Sequence, residues 1–212
     1  MAEKIKKHWD LVLVGGIGLT LAIIGMLVMS EVMVFPNFVS AATTSATTVN
    51  VTATVAETIE ITVTSTTMDL GALTTGAVAS TSDNFTVKTN ASGGYTVNLK
   101  DKDYAATSSL SALHKLNTPT DEIVSASTTL TVGAEGYGAQ GSTSDGDVTI
   151  NAAYLKTGNA VGAVSTTDQL LATGAAATTG DQSTLKLLAA ISTITYAGSY
   201  EDQLTLTAVG SF

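Results

Sequence analysis

Residues 85–99 read FTVKTNASGGYTVNL. Phe85 and Val87 alternate with Thr86 and Lys88, and Tyr95, Val97 and Leu99 alternate with Thr96, Asn98 and Lys100. Alternation with a period of two, built from β-branched and aromatic residues, is the signature of a strand with one buried face. Between the halves, Asn90 to Gly94 supplies turn residues, because Asn and Gly tolerate positive φ. The segment therefore predicts a β-hairpin, closed by Asp101, Lys102 and Asp103.

The same signal recurs on both sides. Upstream, Val49, Val51, Ala53, Val55, Ile59, Ile61 and Val63 hold one parity, with Asn50, Thr52, Thr54, Thr58, Glu60 and Thr62 on the other. One strand of that length would reach about 50 Å at ~3.3 Å per residue, far beyond an ordinary strand. The run must either bend at Ala56-Glu57 or project Val49–Val55 away from its own domain to pair elsewhere. Downstream, residues 129–132, 148–155, 185–194 and 200–208 read as strands, Gly133 to Asp147 as a Gly-, Ser- and Asp-rich loop, and Thr173 to Gly180 as a small-residue turn. Ser108 to Leu116 predicts the one short helix. Ser108 or Ser109 caps it, Leu110, Leu113 and Leu116 recur at spacing three, and Pro119 lies beyond its end. Short strands with little helix predict an all-β chain, an Ig-like or jelly-roll β-sandwich.

The N-terminal part has a different character. Lys4, Lys6 and Lys7 precede an apolar run from Leu11 to Phe35, which Pro36 breaks before the small residues Ser40, Ala41 and Ala42. A cationic start, an apolar helix and a small-residue segment describe an export signal cut after Ala41. An uncleaved anchor is the alternative, since about 20 apolar residues span a bilayer. The organisation read from the sequence is a signal or anchor at 1–41, a flexible leader and candidate donor strand at 42–56, and a β-sandwich at 57–212. This places the mature protein outside the cell, with the membrane met only through the N-terminal segment.

Composition narrows the chemistry. There is no cysteine, which removes disulfides and thiolate chemistry. There is no arginine either, and residues 42–212 carry 15 acids against 6 lysines. An acidic chain of this kind lacks the basic face that nucleic acid requires. His8 precedes the apolar run, so His114 is the remaining histidine, read as a partly exposed surface residue on the predicted helix. No nucleophile–base or nucleotide-binding motif is present, and the chain reads as a non-enzyme with no resident cofactor. Two carboxylate pairs, Asp101/Asp103 and Asp145/Asp147, are solvated turn residues or hard oxygen ligands for Ca²⁺. Lys88, Lys100 and Lys186 fall at outward strand positions. Tyr95, Tyr104, Tyr137, Tyr154, Tyr196 and Tyr200 are dispersed as core and rim residues would be, rather than gathered as a sugar platform.

Three segments together carry a resemblance: TNASGGYTV at 89–97, GYGAQ at 136–140, and YAGSYEDQLTLTA at 196–208. With the export signal and the alternating strand that precede them, they resemble the cysteine-poor secreted β-sandwich surface proteins of prokaryotes. That group includes the WxL-type cell-surface proteins and the fibre or pilus subunits assembled by donor-strand complementation. The W-x-L motif itself is missing, because the sole tryptophan is Trp9. The resemblance implies a structural role at the cell surface, with Val49, Val51, Ala53 and Val55 as the assembly strand of a head-to-tail homopolymer. A cell-surface adhesin or carbohydrate-binding module is the alternative role.

Overall fold

The computed structural model describes residues 47–102, 112–116 and 121–212. The export signal, its cleavage point, Asp103, Tyr104 and the first half of the expected helix lie outside the described residues. The chain divides into two units, Met1–Thr52 and Ala53–Phe212. Of the first, only residues 47–52 are described, and they form no strand.

The second unit is all-β, with no helix among the described residues. Its strands in chain order are β1 (Ile59–Val63), β2 (Ala79–Thr89), β3 (Tyr95–Asp101), β4 (Ala112–Lys115), β5 (Glu122–Val124), β6 (Thr128–Thr129), β7 (Gly136–Thr143), β8 (Val148–Ile150), β9 (Ala160–Val161), β10 (Gln169–Gly174), β11 (Thr178–Ala190), β12 (Tyr200–Glu201) and β13 (Leu204–Gly210). They form two four-stranded sheets, in the orders β1-β2-β11-β7 and β13-β3-β10-β8. A three-stranded sheet, β12-β4-β5, and the pair β6-β9 complete the set. Every ladder is antiparallel.

One core serves both large sheets. Phe85, Val87, Tyr137, Leu185 and Leu187 from the first sheet pack with Val97, Leu99, Ile150, Leu171 and Ala172 from the second. The alternation at 85–99 is thus real, but its topology differs from the expected hairpin. β2 pairs with β1 and β11, while β3 pairs with β10 and β13. Asn90–Gly94 is an arch that carries the chain from one sheet to the other. An arch and a hairpin place alternate residues inward alike, so the pattern does not distinguish them. A second arch, from β10 to β11, lies at the same end of the sheets and touches the first. Gly94, at φ +81°, would drive a Cβ to 2.1 Å from the Gly174 carbonyl oxygen.

Three further expectations change. The described half of the predicted helix is strand β4, between β5 and β12, so the Leu110/Leu113/Leu116 spacing does not make a helix there. The loop expected at 133–147 contains β7, whose first six residues are buried. Its glycines admit neighbours that a side chain would block: a Cβ at Gly138 would meet Val161 and the Gly162 carbonyl, and one at Gly141 would meet Ile150 and Leu171. The turn expected at 173–180 is short, because β10 runs to Gly174 and β11 starts at Thr178. Thr129–Val132 and Val148–Leu155 contribute less strand than expected, and Leu185–Ile194 belongs to a longer β11 that ends at Ala190.

Candidate assembly site

The four residues singled out for assembly lie in no strand. Val49, Val51 and Val55 are 76%, 88% and 82% exposed, and Ala53 is exposed as well. Among the described residues, regular structure begins at Ile59. The entry is fixed by Asn90, whose side-chain amide donates to the Ala56 carbonyl at 2.7 Å and whose Oδ1 accepts from the Thr58 N–H at 2.8 Å. Thr89 Oγ1 donates to the Thr58 carbonyl beside it. The chain therefore enters the fold at the arch end of the sheets. The sequence showed Asn90 as a turn former; its service to a strand 32 residues upstream is set by tertiary contact.

A complementary feature lies along one side of the same unit. β1 and β13 are the outer strands of their sheets, and no strand covers their free edges among the described residues. Their inward side chains Ile59, Ile61, Leu204, Leu206 and Ala208 pack on the core but stay only partly buried. Met68, Leu70 and Leu73, in the connection from β1 to β2, are partly buried too. On the opposite side the equivalent residues are fully covered: Tyr137, Ala139, Val148 and Ile150 are all buried. β7 and β8 close the core on one side; on the other β1 and β13 pack against each other, and their inward residues stay only partly buried. An uncovered strand edge with apolar flanks is a template for another strand.

Of the four carboxylates proposed as Ca²⁺ ligands, the two pairs do not meet as equals. Asp145 is half-buried and Asp147 exposed, on the turn before β8. Asp101 is no turn residue: it ends β3 fully buried, hydrogen-bonded to Asp202. Tyr137 Oη donates to Asp202 Oδ2 at 2.8 Å. Burial, and then the charge of Asp101, push the Asp202 carboxyl up to about 7. Burial and the same two carboxylates hold Tyr137 well above its ordinary value. The cluster is a carboxyl pair under a tyrosine. Among the described residues no three His, Asp or Glu side chains gather as a metal would require.

His114 is corrected as well. It is 1% exposed, on the central strand of the small sheet, with Nδ1 3.4 Å from Glu122. Its cross-strand neighbours are Glu122 on one side and Glu201 on the other. The tyrosines follow the core-and-rim expectation: Tyr95, Tyr137 and Tyr154 are buried, Tyr200 is half-buried, and Tyr196 is exposed with Lys115 Nζ 5.3 Å from its ring centre. Burial and then the Asp181 carboxylate raise the Tyr95 hydroxyl. Lys88 is exposed beside Glu60, and Lys100 and Lys186 are half-buried at outward parity.

No family model matches this chain, and no curated protein does. The WxL likeness thus has no family match behind it. One solved structure, described as "Chaperone-tip adhesin complex is vital for synergistic activation of CFA/I fimbriae biogenesis", is similar at a TM-score of 0.40 and 14% identity. The match covers 72% of this chain and 43% of that one, so this chain spans less than half of that structure's length. At that score the likeness assigns neither fold nor role.

Proposed function

We propose that this is an exported structural protein of the cell surface, the subunit of a filament, pilus or layer assembled by β-strand addition. In this reading the two large sheets are an Ig-like or jelly-roll sandwich that lacks one covering strand, and Val49–Val55 of another copy supplies it. One observation carries the reading. An alternating apolar segment stands 76–88% exposed at its valines, while the inward residues of the edge strands β1 and β13 of the same chain are only partly buried. Main-chain pairing would provide affinity, and the valines would fix register, since a one-residue slip turns them to solvent. A contact between two different surfaces that does not close gives an open fibre. No catalytic step and no resident cofactor belong to this reading. The carbohydrate-binding alternative would need an aromatic platform; among the described tyrosines only Tyr196 is exposed.

Deleting residues 42–56 tests the reading. The truncated domain should unfold cooperatively, remain monomeric, and bind a peptide spanning the deleted residues. Loss of the cooperative transition would mean that the segment belongs to the chain's own core.

A further inference from the structure

Strand addition leaves open how the bodies of two copies meet, and the chain length constrains it. Only Ala56, Glu57 and Thr58 separate Val55 from β1, a reach of about 13 Å from Val55 to Ile59 at ~3.3 Å per residue. A copy that lends Val49–Val55 must therefore bring its arch end against the copy that receives them. The arch end carries a shallow depression lined by the apolar Val55 and Phe212 and by Glu57, Asn90 and Ser92, with Phe212 half-exposed. The other end of the sheets carries the turn after β11, where Ile194 is 82% and Tyr196 65% exposed. That turn is built to hold its shape. Ser192 and Thr195 bond each other and Glu135, and Tyr200 Oη donates to the Tyr196 carbonyl at 2.8 Å.

Resting on the strand-addition reading, we propose that the Ile194–Tyr196 turn of each copy seats in the depression of Asn90, Ser92 and Phe212 of the copy whose strand it receives. The contact joins two different ends of the sheets, so it repeats without closing. It also sets the direction of the added strand. The lent segment runs from arch end to turn end as residue numbers rise. β13 runs the opposite way, from Leu204 near the turn to Gly210 near the arch. The added strand is therefore antiparallel to β13. Its seven residues match the seven of β13, setting Val55 opposite Leu204, Ala53 opposite Leu206, and Val51 opposite Ala208. Large faces small at the two inner positions. If instead two arch ends met, the strand would run parallel to β13, Val49 would lie by Leu204, and the assembly would close as a dimer.

The chain has no cysteine, so introduced pairs report without background. In the full chain, Ser92→Cys with Ile194→Cys and Val55→Cys with Leu204→Cys should each give an oligomer ladder on mild oxidation. Ile194→Ser, at an exposed site, should raise the concentration needed for assembly about tenfold. A 55–204 ladder without a 92–194 ladder overturns the stacking contact and leaves strand addition standing. Dimers from Val49→Cys with Leu204→Cys, and no ladder, overturn the polarity and the open polymer together. No intermolecular cross-link from any pair overturns strand addition itself.

Discussion

Asp202 holds a proton that an ordinary aspartate would have lost. Its carboxyl sits among Asp101, Tyr137 and the backbone of Gln203, and burial with the Asp101 charge raises it from 3.8 to about 7. The sign of the consequence follows from linkage. Between those values the folded chain binds a proton that the unfolded chain does not, so this group's stabilisation is complete below about pH 4 and lost as pH rises through 7. Stability should therefore fall from pH 4 to pH 8 by an amount on the order of a few kcal/mol. Asp202→Asn keeps the shape and removes the charge, so its urea midpoint should vary much less across that window and exceed the parent's at pH 8. Equal slopes for the two proteins would show that the Asp202 carboxyl is not raised in the folded chain. Nothing local in the sequence signals this pair. The sequence pairs Asp101 with Asp103, two residues away, whereas its partner is 101 positions along the chain, just before the last strand.

At the scale of elements, β7 shows which parts of the fold the sequence could express. GYGAQG has few of the branched residues that mark a strand, and its glycines read as loop. They are glycines because other elements press against them. Gly138→Ala should cost about 1–3 kcal/mol as overpacking, since its Cβ would fall 2.7 Å from the Gly162 carbonyl oxygen. Gly146→Ala, in the turn before β8 with open space around it, should cost less than about 0.5 kcal/mol. Chemical denaturation of the two variants compares them, and similar losses would mean that close packing is not why β7 is glycine-rich. By contrast, β2, β3 and β13 were legible, because Val87, Val97, Leu99 and Leu206 alternate with polar neighbours at every step. The arch at 90–94 was not, because pairing partners are chosen by the whole fold. Nor was β4, where ALHK carries no period long enough to separate strand from helix. The apolar stripe at 49–55 is legible as a pattern, while the places of β1 and β13 at sheet edges follow only from the pairing of the whole fold.

For the whole molecule, the strand-addition proposal predicts that stability depends on occupancy of the β1–β13 side. Leu99 is fully buried, and Leu99→Ala should cost about 2–5 kcal/mol in any state of assembly. Leu206 is only partly buried in the single chain, so in the domain lacking residues 42–56 Leu206→Ala should cost less than about 2 kcal/mol. An added strand would cover Leu206 and Ala208 from outside. A peptide of residues 42–56 should therefore raise the melting temperature of the truncated domain in proportion to the logarithm of its concentration. At 100 times its Kd the gain is about 2.7 kcal/mol. The same peptide should enlarge the Leu206→Ala penalty toward that of a fully buried leucine, and leave the Leu99→Ala penalty unchanged. A peptide with Thr at positions 51 and 55 keeps the backbone donors, acceptors and β-branching but loses the apolar stripe. It should stabilise far less, because the valines supply the burial while the main chain supplies only direction. If the two peptides stabilise equally, the edge binds strands without reading their side chains, and Val49–Val55 has no special claim on it.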